Sequence, residues 1–240
     1  MIDFHSHLIP GIDDGSKSLA MSQSMLDMWK EQKISHICAT PHFYADMMSP
    51  EKFLEKRDAS YRELMDSVIK RSDGYRPAIV PGAEVHYFRG MSSNDSISKF
   101  CLKGTKLLLI EMPFHEWSEY MVKEVSDLKG QGLIPVAAHI ERYLSIQPTK
   151  KIDAFLETGV LLQSNAEFFL TFKTKRKALR MLANNEIAFL GSDAHNTTNR
   201  CPNLGSAVEY INKKLGPEAL SNIRRNEASL IDMWAQGGLA

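Results

Sequence analysis

Seven short apolar runs recur along the chain. They lie within Met1 to His7 (M-I-D-F-H-S-H) and at Ile34 to Thr40, Ala78 to Glu84, Leu107 to Glu111, Ile134 to His139, Gly159 to Asn165 and Ile187 to Asp193. Helix-like or loop sequence separates each from the next. Strand-length runs alternating with stretches long enough to cross back predict a parallel sheet. Seven such units in 240 residues favour an α/β, TIM-like barrel over an open sheet, as a single domain spanning residues 1–240. Capping signals mark several connections. Ser18 can start a helix to about Glu31, and Ser49-Pro50-Glu51 can start one to about Arg71. Helical periodicity from about Trp117 to Lys129 stops at Gly130 and Gly132, and Asn203 to Ala240 is amphipathic with breaks near Gly216-Pro217 and Asn226.

The ends of these runs are chemically unusual. Asp3, His5 and His7 alternate, so a regular strand would turn all three to one face, with Asp3 placed to accept a ring N–H and fix a tautomer. Asp14 follows in a Gly-rich loop. His42 lies just past the second run, and the later runs end on Glu84, Glu111, His139, and Asp193 with His195. An apolar strand that closes on a carboxylate needs a reason for it, because burying an unpaired charge is costly. In a parallel barrel all of these ends share one rim. Nine imidazole and carboxylate groups without a thiolate form the ligand set of manganese, iron or zinc, and are too many for one ion; two or three divalent ions are expected.

Composition narrows the setting. Lys+Arg and Asp+Glu are both 29, so no global basic field draws in nucleic acid, and no apolar run approaches the length of a membrane helix. The three cysteines, Cys38, Cys101 and Cys201, are far apart and form no C-x-x-C pair. No Arg lies six positions after any of them, which excludes a phosphocysteine loop. With no signal-peptide pattern either, the expectation is a cytoplasmic protein that neither binds nucleic acid nor inserts in a membrane.

These motifs together resemble the polymerase and histidinol phosphatase (PHP) superfamily of metal-dependent phosphoesterases. Within it they are similar to the CpsB/YwqE type of bacterial protein-tyrosine phosphatase from capsule and exopolysaccharide operons. The resemblance rests on D-F-H-S-H with D-D-G, A-T-P-H at 39–42, G-A-E at 82–84, I-E at 110–111, A-H-I-E-R-Y at 138–143, and S-D-A-H-N followed by Arg200. It implies a distorted (β/α)₇ barrel and three metal positions: His5, His7, Glu84 and Asp193; Glu84 as a bridge with Glu111 and His139; and Asp14, His42 and His195. Manganese is the preferred ion, with iron or zinc as alternatives. The resemblance also implies phosphate binding by Arg142 and Arg200, and as substrate the phosphotyrosine tail of a bacterial tyrosine kinase. His36, His86 and His115 match no ligand position and are expected to be structural or surface residues.

Independently of the resemblance, such a rim can activate a water for in-line attack on phosphorus while cations and guanidinium forks neutralise the phosphoryl oxygens. Tyrosine, with a pKa near 10, leaves without a strong acid. A small-molecule phosphatase acting on a histidinol-phosphate-like or nucleotide substrate would use the same groups. A metal-binding module without turnover is disfavoured, since a structural site is usually closed by four ligands.

Overall fold

The computed structural model describes residues 1–237; the end of the expected C-terminal helical stretch, and of the expected 1–240 unit, lies outside the described residues. Nine strand segments are present: β1 (Ile2–Ser6), β2 (His36–Ala39), β3 (His42–Phe43), β4 (Ala78–Pro81), β5 (Glu84–His86), β6 (Leu107–Glu111), β7 (Ile134–Ala137), β8 (Leu161–Asn165) and β9 (Phe189–Gly191). All pair in parallel, as a three-stranded sheet β1-β2-β4 and a six-stranded sheet β3-β5-β6-β7-β8-β9. The expected run Ala78 to Glu84 is thus split in two, and the expected run Ile34 to Thr40 is followed by a short additional strand, β3, at the position expected to lie just past it. Pro41, which has no N–H to give to a ladder, separates β2 from β3. Gly82 separates β4 from β5, where an added Cβ would come within 2.7 Å of Leu102.

Backbone hydrogen bonds stitch the two sheets into one curled surface. Gly82 N donates to Ala39 O at 2.9 Å and Glu84 N to Pro41 O at 3.0 Å. At the other margin, Asp193 N donates to His5 O at 2.8 Å and His7 N to Ala194 O at 2.9 Å, so the first strand lies beside the chain that leaves the last.

The helices are α1 (Leu19–Glu31), α2 (Pro50–Ile69), α3 (Glu119–Asp127), α4 (Thr149–Glu157), α5 (Glu167–Leu170), α6 (Lys175–Ala183), α7 (Leu204–Leu215) and α8 (Ser221–Gln236). Ser18 and Ser49 cap α1 and α2 as their sequences predict, each accepting a backbone N–H from its first turn. Asn226 does not break the last helix. Its side chain donates to Ala188 O at 2.9 Å and pins α8 to the sheet instead. Among the described residues no helix is long and apolar enough to cross a membrane.

Strand alternation sorts the core into two layers. Leu107 and Leu109 join Ile2, Phe4, Val80, Val136 and Phe189 in an inner cluster closed by Leu230 and Trp234 of α8. Leu108 and Ile110 face outward, in the layer with Trp29 of α1, Leu64 of α2 and Val125 of α3. Each such buried side chain contributes roughly 1.5–3 kcal/mol. The same period puts Glu111, two residues after Leu109, on the inner side at the C-terminal edge of the sheet.

Candidate metal centre

The alternating D-x-H-x-H reading fails in one detail. The pairing of β1 with β2 slips between Asp3 and Ser6, and this irregularity breaks the strict period of two. Asp3 therefore does not serve a histidine ring. It accepts the Trp29 indole N–H at 2.7 Å and the Ser192 N–H at 2.8 Å, tying α1 and the β9 loop to the first strand. His5 turns instead toward Gln163 and Glu84, at 3.1 Å each. Two glycines make room for these rings. A Cβ on Gly191 would lie 2.7 Å from His5 Cβ, and one on Gly15 would lie 2.3 Å from His7 Cβ.

All nine predicted ligands gather at the C-terminal edge of the sheet. Donor atoms of eight of them form three overlapping groups, each compact enough to surround a cation: His5, His7, Glu84 and Asp193; His7, Asp14, His42 and His195; and His42, Glu84 and Glu111, with His139 in none of the three. The first is the set that the resemblance implies. The second adds His7 to the expected third set. The remaining pair differs more, since Glu84 and Glu111 are approached by two imidazoles rather than one. His42 Nδ1 lies 3.0 Å from Glu84 Oε2, and His139 Nε2 lies 2.8 Å from Glu84 Oε1 and 3.5 Å from Glu111 Oε1. Glu84 is the hub, fully buried, with four imidazoles around its two oxygens. His139 (φ 32°) and Asp193 (φ 54°) sit in the left-handed region, a conformation that costs a non-glycine residue about 1–3 kcal/mol and is held here by the surrounding contacts.

The arrangement fits cations better than it fits itself. His5 Nε2 and His7 Nε2 face each other at 3.2 Å, two lone-pair positions with room for one proton between them. Among the described residues, buried His42 Nδ1, Asp193 Oδ1 and His195 Nε2 have no hydrogen-bond partner, although charged neighbours stand close. Burial alone would raise the Glu84 and Asp193 carboxyls, yet His5 with His42, and His5 with His7, hold them well below the usual range. Glu111 behaves alike: against burial, hydrogen bonds from His139 and His86 bring it to about 2. Burial, His7 and Arg200 push His195 down to about 3, and burial keeps His42 low, so both offer free lone pairs. His139 and His7 go the other way. Although burial opposes protonation of both, Glu111 and Glu84 raise His139 to about 9, and Asp13 holds His7 well above the usual imidazole range.

These last shifts have a measurable result. Rings raised in this way favour the protonated form at neutral pH, whereas ligation needs them neutral, so cation uptake should expel protons from His139 and His7 and tighten as pH rises. Titration calorimetry of Mn²⁺ into the protein in buffers of different ionisation enthalpy should give buffer-dependent heats; identical heats in every buffer would refute the expectation.

Several supporting residues carry no motif signal. Gln163 Oε1 accepts from His139 N at 2.7 Å and lies 3.1 Å from His5 Nδ1, while its amide donates to Asn165 at 2.9 Å; Asn165 in turn donates to Asp193 at 2.9 Å. Asp13 lies 2.6 Å from His7 Nδ1 and accepts from His42 N at 2.8 Å. His86, expected to be structural or surface, lies 2.9 Å from Glu111 Oε2 and so orients a predicted ligand. His36 and His115 match the expectation, one stacked on Trp234 and the other exposed. Only the two-residue offset of Gln163 and Asn165 on β8 could have flagged them as facing the same way as the ligands. Gln163→Leu, which keeps the volume but removes the amide, should weaken Mn²⁺ binding about 10–100-fold with the fold intact. Equilibrium dialysis would read this, and unchanged affinity would reduce Gln163 to a packing role.

Two cations overlook the cluster. Arg142 and Arg200 converge on Asp193 Oδ2, at 2.5 and 2.8 Å, and Arg200 also lies 3.7 Å from Asp14. Each is about one-third exposed, so both line the open side of the site.

Known proteins resemble the chain over nearly its whole length. The chain is 31% identical over 239 residues to the tyrosine-protein phosphatase YwqE of Bacillus subtilis, covering 96% of this chain and 91% of that protein. It is 29% identical over 234 residues to the tyrosine-protein phosphatase CpsB of Streptococcus agalactiae, covering 93% and 94%. A solved structure from work on YwqE of Bacillus subtilis and CpsB of Streptococcus pneumoniae, described as unique metal-dependent tyrosine phosphatases, superposes with a TM-score of 0.79 at 28% identity, covering 94% of this chain and 92% of that one. The phosphotriesterase homology protein of Escherichia coli, 12% identical, shares the fold at a TM-score of 0.51 over 95% of this chain and 97% of that one. Residues 1–232 match the family described as capsular polysaccharide synthesis, CpsB/CapC, and the chain belongs to that family.

Proposed function

We propose that the protein is a metal-dependent phosphatase that hydrolyses protein phosphotyrosine, with a bacterial tyrosine kinase of capsular or exopolysaccharide synthesis as its substrate in the cytoplasm. The observation that carries this reading is the overlap of three donor groups through His7, His42 and Glu84, in a chain of the CpsB/CapC family. Overlap of this kind suits neighbouring ions better than one closed structural site. We read the curled sheet as a distorted (β/α)₇ barrel of the PHP type forming one domain, with the site at its C-terminal mouth.

His5, His7, Glu84 and Asp193 would hold one ion, Glu84, Glu111 and His139 a second, and Asp14, His42 and His195 a third, with manganese preferred over iron or zinc. Bound divalent ions would supply positive charge to the phosphoryl oxygens and acidify water for in-line attack. Arg142 and Arg200 would direct their free N–H groups at the phosphoryl oxygens as planar forks. The water oxygen gives up a proton to solvent and bonds to phosphorus, the bond to the aryl oxygen breaks with its electron pair, and the departing phenolate takes a proton from solvent, so that no net proton is lost. Gln163, Asn165 and Asp13 hold the rings and Asp193 in place throughout.

A panel of phosphotyrosine peptides, histidinol phosphate and nucleotides, each assayed with Mn, Fe and Zn, tests the reading. A sharp preference for the peptides is the expected result, and chelation should abolish it. Preference for histidinol phosphate or a nucleotide would replace it with small-molecule hydrolysis.

A further inference from the structure

Beside the metal centre lies an apolar cavity of about 310 Å³, walled by the loop after β1, the chain after β3 and the first turns of α2. Asp14 and His42, both candidate ligands, form its edge toward the centre, and Lys56 stands at its outer end. Asp13, whose carboxylate is already engaged by His7, also borders it, and the rest of the wall is Ile12, Phe43, Tyr44, Met47, Met48 and Phe53. We propose that this cavity receives the aryl ring of the substrate, so that the protein selects aryl over alkyl phosphate monoesters by the shape of the leaving group. The proposal rests on the phosphatase reading above and deepens it.

Size, lining and position support this together. A cavity of about 150 Å³ suffices for benzene, so this one has room for a tyrosyl ring and its methylene while the peptide backbone stays outside. A serine or other short alkyl ester would leave the apolar wall facing water. The deeper walls are fixed: Phe43 stacks on Phe100 with ring centres 4.2 Å apart and meets Phe53 edge-on at 5.2 Å, while Tyr44 sits 5.2 Å from the His42 ring. The outer wall is adaptable. Met47 is 77% exposed and Met48 half-buried, and a thioether chain can mould itself to a flat ring. Asp14 connects the parts, with Arg200 3.7 Å away and the cavity on its own flank. A phosphoryl group gripped by that arginine would therefore have apolar space beside it for the ester's organic half.

The test uses the Mn²⁺-loaded protein with phenylphosphonate and methylphosphonate, which present the same head group with and without a ring. Phenylphosphonate should bind at least about 10-fold tighter, the discrimination an apolar pocket can supply. In protein labelled with ¹³C-methyl methionine, the Met47 and Met48 signals should shift with phenylphosphonate and stay still with methylphosphonate. Met48→Asp, or Met47→Asp should the first misfold, should erase the preference while orthophosphate binding holds within about twofold. Equal affinities for the two phosphonates, or methionine signals indifferent to the ring, would overturn the proposal while leaving phosphatase activity in place. Failure of the loaded wild-type protein to hydrolyse any phosphate ester would overturn both.

Discussion

A Glu84→Gln protein is expected to lose at least one divalent ion per chain and at least about a thousandfold in turnover, or roughly 4 kcal/mol of barrier. This side chain stands among four of the candidate ligands. Its Oε2 stands 3.1 Å from His5, 3.3 Å from His7 and 3.0 Å from His42, and its Oε1 2.8 Å from His139. Glutamine keeps the shape but halves the acceptor capacity and removes the charge that offsets cations in a fully buried position. The loss should therefore show first as metal stoichiometry by elemental analysis, and then as rate. Unchanged circular dichroism would separate it from unfolding. A variant that kept its full metal complement and activity would deny Glu84 its place at the hub.

The double variant Arg142→Ala/Arg200→Ala should fail differently. Its metal content should stay near that of the wild type, because neither arginine belongs to a donor group. Turnover of aryl phosphates should fall about 10²–10³-fold, as when donors aimed at transition-state charge are removed, and inhibition by orthophosphate should weaken in parallel. The single variants should each retain part of the activity, since the two guanidiniums meet on the same oxygen of Asp193 and can partly substitute for one another. Metal loss matching that of Glu84→Gln would instead mean that the arginines serve mainly to hold Asp193.

How far this site was legible in the chain depended on what kind of contact each residue makes. Ligands were visible because imidazoles and acids at the ends of apolar runs have few other reasons to be there, and Leu107 to Glu111 is a strand with the predicted bounds. The supporting residues were not. Gln163 and Asn165 are ordinary neutral amides until β8 is laid beside β7 and β9, and Asp13 looked no different from Asp14 beside it. The role given to Asp3 was wrong because one slip in the pairing of β1 with β2 overrides period-two logic, and such slips leave no mark in residue type. The split of the third run at Gly82 was legible in principle, since glycine interrupts ladders, but its neighbours read as continuous strand; the two-residue β3 after Pro41 was missed because it is too short to carry a strand pattern of its own.

The hydrogen bond from Asp193 N to His5 O joins two segments that are far apart along the chain, the first made long before the second. Contacts so distant along the polypeptide close late and slowly. A nascent chain on the ribosome thus holds His5 and His7 without Asp193 or His195, and lacks one member of each of the two donor groups that contain His7. Ion capture by those two groups, and with it any power to strip phosphate from other proteins, is deferred until synthesis has passed β9.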